Sequence, residues 1–282
     1  MNKINYPLAA PAWLLDIPEK DYHAATKAGE YLSSHRLHTF RKCPELYRRE
    51  AAGLLPSKDT HEFAFGRATH TFILQGREAF AREFEVGDGP INEKTGKPFG
   101  TDTKRYADWV AAQPKPIVSG AEFALLENLR AAVFAHDAAA GILSCGIAEA
   151  VVRSEVEGVA VQTRMDWFDP TRKILADLKT CNDLDRFTFD LRDFGYAYQM
   201  AFYAETLRTT PFGELPEHTY LIAVEKKEPF RVGVWEVSVS TLDDLIWAPE
   251  KAGMRPMLKE YREAFASGKA RWATRYEGVG VI

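Results

Sequence analysis

The chain has 282 residues, 46% hydrophobic and 12% aromatic, enough to bury a large core without disulfide or metal staples. Its formal net charge of -4 excludes a generally basic nucleic-acid coat, so any contact with DNA must be a local patch on an acidic background. No apolar run approaches the ~20 residues that span a bilayer. The start lacks a signal-peptide pattern, and Cys43, Cys145 and Cys181 have no zinc spacing, which predicts reduced thiols in the cytosol.

Residues 1–30 contain Pro7, Pro11 and Pro18 and little periodicity, which predicts an irregular arm packed through Trp13, Leu14 and Leu15. Ser33 or Ser34 is placed to cap a helix running to about Ala52, with Leu37, Phe40 and Leu46 or Tyr47 inward and Gly53 as its stop. Pro44 divides that helix into two short ones. A helix over 60–75, with Phe63, Ala64, Ala68, Phe72 and Ile73 inward, carries His70. Residues 87–103 read as a mobile loop with a turn at Asn92 to Gly96, followed by helices over 102–112 and 119–140.

Beyond Gly146 the pattern becomes that of strands: 148–154, a Glu157-Gly158 turn, 159–168, and 173–180. A helix over 190–209 then carries Phe194, Ala197, Ala201, Tyr203 and Leu207, before strands at 219–225 and 232–239 and a closing helix over 242–266. This order predicts an α/β fold in which helices flank a mixed central sheet. The whole chain, 1–282, is expected to be one folding unit, with a mainly helical portion over 1–145 and the sheet-containing core over 146–282.

The segments Gln162 to Asp166 and Ile174 to Thr180 read as adjoining strands joined by the turn residues Asp169-Pro170-Thr171. Alternation puts Asp177 and Lys179 on one face, and the fold-back sets Asp166 beside them. Ile174, Leu175, Ala176 and Leu178 make this a buried strand, where an unpaired charge costs several kcal/mol. Two hard oxygen ligands beside an ammonium suggest a divalent-metal site for cutting phosphodiesters; the plain alternative is a buried Asp-Lys ion pair without chemistry.

In this pattern the sequence resembles the PD-(D/E)xK nuclease superfamily and, within it, the RecE-like and RecB-like exonucleases. The resemblance rests on Asp166, on Asp177-Leu178-Lys179 and on Gln199-Met-Ala-Phe-Tyr203. It is extended by Gly66 to His70, by Glu149 on the preceding strand, and by Ser33-Ser34 with Cys43-Pro44. It implies a PD-(D/E)xK core and an Mg²⁺- or Mn²⁺-dependent exonuclease that degrades double-stranded DNA from its ends, 5′ to 3′, leaving 3′ single-stranded tails for recombination.

Asp166 and Asp177 are then carboxylate ligands, His70 a third ligand, and Glu149 a ligand or a salt-bridge partner of an arginine. Lys179 orients or activates water, as base or as electrostatic clamp. Gln199 and Tyr203 share a helix face and hold phosphate or water, or else pair at a helix-sheet interface. Arg67 and Arg164 are candidate phosphate contacts. Further cations lie at Arg36, Arg41, Lys42, Arg48, Arg49, Lys104-Arg105, Lys226-Lys227, Lys269, Arg271 and Arg275. Kinship also implies a homo-oligomer, a tetrameric ring around DNA, acting with a single-strand annealing recombinase. Two other readings stay open: an endonuclease on the same core, and a nuclease fold without activity that binds DNA or assembles. An iron-sulfur nuclease is excluded, since three scattered cysteines cannot supply four thiolates.

Overall fold

The computed structural model describes residues 11–55, 61–249 and 253–266. The proposed cations Lys269, Arg271 and Arg275 lie outside the described residues. The arm that opens the described chain is anchored rather than loose. Leu15 and Val151 exchange backbone hydrogen bonds of 2.8 and 3.1 Å, and Trp13 packs edge-on against Phe168. The arm then leads into a helix that the proline-rich sequence concealed, α1 (Glu19–Ala28). Glu19 and Asp21 fill its first turn, where negative charge suits the helix dipole, and Gly29 ends it at φ 77°, in the left-handed region.

Helices α2 (Ser34–Lys42) and α3 (Pro44–Ala51) divide at Pro44 as predicted. Ser33 accepts the Arg36 N–H at 3.5 Å, and the Cys43 sulfur accepts the Leu46 N–H at 3.4 Å, so each start is capped. Helix α4 (His61–His70) runs into a π-helical turn over Thr71–Gln75, closed by the Gly76 N–H on the Thr71 carbonyl at 3.0 Å. Ala68, Phe72 and Ile73 are buried there as expected, whereas Phe63 is 56% exposed.

After α5 (Arg77–Glu83), two short ladders form: β1 (Glu85–Val86) with β4 (Ile117–Val118), and the hairpin of β2 (Ile91–Asn92) with β3 (Lys97–Pro98). The hairpin falls inside the segment read from sequence as a loop. Helices α6 (Lys104–Ala111), α7 (Gly120–Ala135) and α8 (Asp137–Ile142) follow. The predicted 119–140 helix breaks because His136 leaves the helical conformation and its Nδ1 accepts the Ala139 N–H at 3.3 Å, capping α8.

The central sheet has five strands in chain order: β5 (Ile147–Val156), β6 (Val159–Asp169), β7 (Ile174–Cys181), β8 (His218–Glu225) and β9 (Val232–Glu236). Neighbours are antiparallel except β7 and β8, which run parallel from Ile174 opposite His218 to Cys181 opposite Glu225. A parallel pair needs a crossover, supplied here by a 3₁₀ turn at Leu184–Arg186, α9 (Phe187–Asp193) and α10 (Tyr196–Arg208). The sequence predicted one helix over 190–209. Gly195 divides it at φ 68°, and Phe194, placed within that helix by the sequence, lies outside both helices and is 60% exposed. The closing helix is likewise two, α11 (Val239–Trp247) and α12 (Met254–Ala266).

Alternation along β7 sorts the core. Ala176 and Leu178 pack with Trp167, Ile222 and Val224 against Leu129 and Val133 of α7, and Leu175 faces Phe202 and Ala201 of α10 with Met165 and Phe168. At the opposite end the Asp169 carboxylate accepts the Thr171 and Arg172 N–H groups at 2.8 and 3.0 Å. Arg172 in turn donates to the carbonyls of Gly141, Ile142 and Cys145 at 2.8, 2.9 and 2.7 Å, which ties the β6–β7 turn to α8. Among the described residues no disulfide joins Cys43, Cys145 or Cys181, and no helix is long and apolar enough to cross a membrane.

Candidate active site

Asp177 and Lys179, two apart on β7, turn toward α10. The Lys179 ammonium touches Asp177 Oδ2, and Gln199 donates from α10 to Asp177 Oδ1 at 3.3 Å. The same amide nitrogen donates to the Tyr203 hydroxyl at 2.8 Å, as residues four apart on a helix can. Burial and then the nearby Asp166 charge push the Asp177 carboxyl above its ordinary range, against the pull of Lys179. Burial opposes the charge on Lys179, but Asp177 and Asp166 outweigh it and hold the ammonium above its usual pKa. Burial raises Tyr203 so far that it stays a phenol.

Asp166 joins the two strands. The β6–β7 ladder ends with Trp167 opposite Ala176, and beyond it Asp166 Oδ2 accepts the Leu178 N–H at 2.8 Å in place of a backbone carbonyl. Its other oxygen lies 3.6 Å from Nδ1 of His70, which α4 delivers just before the π turn. Glu149 comes from β5, opposite Asp166. It breaks the ladder by adopting φ 57°, a conformation that costs a non-glycine residue about 1–3 kcal/mol. Burial first, then Asp166, raises the Glu149 carboxyl, and Arg164 offsets this in part.

His70, Glu149 and Asp166 each offer one ligand atom, all within 4.8 Å of one another. Two carboxylate oxygens and an imidazole nitrogen this close together match a divalent cation, whose charge would offset the crowding of the two acids. Asp177 stands outside this close trio, its oxygens held by Lys179 and Gln199. The site opens into a cleft of about 430 Å³ lined by Ser34, Arg67, His70, Glu149, Asp166 and Gln199 among others.

Arg67 and Arg164 meet at a residue the sequence reading did not single out. Glu19 of α1 lies 4.0 Å from Arg67 Nε and 3.5 Å from an Arg164 terminal nitrogen, and the Arg164 Nε lies 2.9 Å from a Glu149 carboxylate oxygen as an ion pair. Burial would raise Glu19, but His23 and the two arginines outweigh it and keep it ionised. The signal for Glu19 was available: an acid just after Pro18 at a helix start.

An acid on one strand, an acid-x-lysine on the next and a Gln-x-x-x-Tyr helix behind them define a nuclease core of the PD-(D/E)xK class. The family model of the PDDEXK-like domain of unknown function, DUF3799, matches residues 33–254, and the chain belongs to that family. Among solved structures, a Eubacterium rectale protein provisionally assigned as an exonuclease is similar in fold. It has a TM-score of 0.62 and 16% identity over 95% of this chain and 96% of that one. A phage-related exonuclease from Haemophilus somnus aligns with a TM-score of 0.37 and 15% identity over 84% of this chain and 96% of its own. No curated protein matches the sequence.

Proposed function

We propose that the protein is a divalent-metal-dependent exodeoxyribonuclease of the RecE type, acting in the cytosol on double-stranded DNA ends. It would degrade one strand, 5′ to 3′, to leave a 3′ tail for a single-strand annealing partner, and would work as a homo-oligomer. The observation that carries this reading is the meeting of His70, Glu149 and Asp166 at one cleft, with the Lys179–Asp177 pair close enough behind them for the Asp166 charge to act on both members.

Mg²⁺ or Mn²⁺ would be held by His70 and Asp166, with Glu149 and Asp177 completing or neutralising the set. When bound, the cation supplies Lewis acidity, easing deprotonation of water and offsetting phosphate charge. The residues of the chain do the rest. Lys179, held as an ammonium, sits where it stabilises charge developing on the phosphoryl oxygens. Gln199 fixes Asp177, so the ammonium keeps its position. Water adds to phosphorus, the bond to the 3′ oxygen breaks, and that oxygen leaves with a proton. Arg164 and Arg67, at the cleft wall, orient the phosphate backbone.

The test is a time course on linear duplexes with either the 5′ or the 3′ end blocked, with and without Mg²⁺ or Mn²⁺, beside a covalently closed circle. Metal-dependent loss of linear DNA, stopped by a 5′ block, is expected. Rapid cutting of the circle would favour an endonuclease, and no metal-dependent cutting at all would favour an inactive DNA-binding fold.

A further inference from the structure

Helix α10 does more than carry Gln199 and Tyr203. Tyr196, Gln199 and Tyr203 are spaced three and seven residues apart and so share one face, which runs from the start of the helix to the floor of the cleft. At its upper end the Tyr196 ring lies 4.9 Å from the Lys179 nitrogen. Phe194 lies 5.6 Å from Tyr196, the two planes only 30° apart, so the rings stack. The lower ring is thus fastened to the candidate catalytic lysine, while Phe194 is left 60% exposed. A large apolar ring exposed to solvent and stacked on the ring that covers Lys179 calls for a ligand with a face of its own.

The surroundings define the charge of that ligand. Gly195 lets the chain turn between the rings and approach α2: a Cβ at this position would lie 2.9 Å from His38 Nδ1. Helix α2 brings cations to this turn. The Arg41 guanidinium stacks 4.4 Å above Tyr198, and Lys42 and His35 are exposed on the same helix. Their charges act together on His38, whose pKa is lowered by burial and then by Arg41, His35 and Lys42. Of the acids that Tyr196 feels, Asp177 is already matched by Lys179, whereas Asp190 of α9 adds one negative charge at the same turn.

An exposed aromatic face, flanked by cations and leading to a phosphodiester-cutting lysine, matches an unpaired nucleotide: a base to stack on the ring and phosphates to meet the cations. We propose that Phe194, supported by Tyr196 and flanked by Arg41 and Lys42, is a stacking site for a base of unpaired DNA next to the phosphate being cut. The inference rests on the nuclease reading above and adds to it that the strand in the site is held single.

The test measures binding without cleavage. In EDTA, fluorescence anisotropy reports affinity for a short fluorescein-labelled single-stranded oligodeoxynucleotide and for the matching blunt duplex. F194A is expected to bind the single strand about tenfold more weakly than the parent. F194W is expected to restore binding, with its added indole emission quenched by the oligonucleotide. Phe194 buries little, so thermal melting of both variants should match the parent.

Equal single-strand affinity of parent and F194A, or unquenched emission from F194W, would overturn the proposal. So would a changed oligomeric state of F194A with unchanged DNA binding, which would assign the rings to a contact between copies. Failure of the parent to cut DNA with Mg²⁺ or Mn²⁺ would instead refute the nuclease reading, and the binding results would still be readable by themselves.

Discussion

The carboxylate of Asp166 accepts the backbone N–H of Leu178 across 2.8 Å, so a side chain of β6 takes over a ladder position that its own backbone has given up on β7. This bond fixes one candidate ligand relative to the strand that carries Asp177 and Lys179. It also separates charge from shape. D166N keeps an oxygen for Leu178 and loses the charge, whereas D166A loses both. D166N should therefore melt close to the parent, and D166A should lose about 1–3 kcal/mol for the orphaned buried N–H. Both should lose at least about 100-fold in metal-dependent cleavage, since even outer-shell partners of a metal are worth about 10–100-fold. Thermal melts paired with Mn²⁺ titration calorimetry check the split.

Lys179 should be essential to turnover and dispensable for holding DNA. K179A is expected to abolish cleavage while DNA binding in EDTA stays measurable. It also leaves Asp177 buried without its partner, so stability should fall by about 3–5 kcal/mol. K179A/D177N, which removes both charges, should regain much of that stability and none of the activity; a cleavage assay with a denaturant melt on the pair of variants decides it.

On the proposed reading, in which Arg67 and Arg164 meet the phosphate backbone, Glu19 competes with DNA for both. E19Q is expected to tighten duplex binding about fivefold at low salt, the equivalent of about 1 kcal/mol. The slope of log affinity against log salt should steepen, because two guanidinium groups become available to phosphate. Anisotropy titrations at several salt concentrations would show it.

The Asp169–Arg172 turn predicts an acid limit to stability. Burial alone would raise the Asp169 carboxyl, but bonds from the Arg172 side chain and from the Arg172 and Thr171 N–H groups hold it below its ordinary value. A carboxyl lowered in the folded state stabilises above its unfolded pKa of about 3.9, and that stability is lost as pH falls toward the folded value. The parent should therefore weaken as pH drops below about 4, while D169N, less stable by at least about 1.5 kcal/mol at pH 7, should lack this part of the pH dependence. Melts between pH 7 and pH 3 test both statements.

Much of this architecture was legible in the sequence because local signals agreed with the tertiary outcome. The alternation on β7, the Glu157-Gly158 turn and Pro44 each have one reading, and the structure has the same one. What stayed hidden depended on contacts between distant segments. Helix α1 sits among prolines and becomes visible through Glu19 meeting Arg164. The breaks at His136 and Gly195 interrupt sequences that would continue well as helix. Phe63 fits an inward period, yet it lies in the first turn of α4 and faces out, and Phe194 falls between α9 and α10 and is exposed.

The candidate site shows the same division. The spacing brought Asp177 to Lys179 and Gln199 to Tyr203, but nothing local marks Glu149 for its left-handed backbone or places it within reach of His70 and Asp166.

The parallel pairing of β7 with β8 has an evolutionary corollary. The linking segment between them begins where the Asp177–Lys179 strand ends and must arch over it before the next strand can be laid down. Phe187 pins this segment by packing 4.6 Å from Trp235 of β9, but exposed residues beside it, such as Asn182, Thr188 and Phe189, can be exchanged without altering the ladder beneath, and each such edit changes what meets an incoming strand. Kin that share the same chemistry are free to diverge in which ends they accept, and the arch is where that divergence should accumulate.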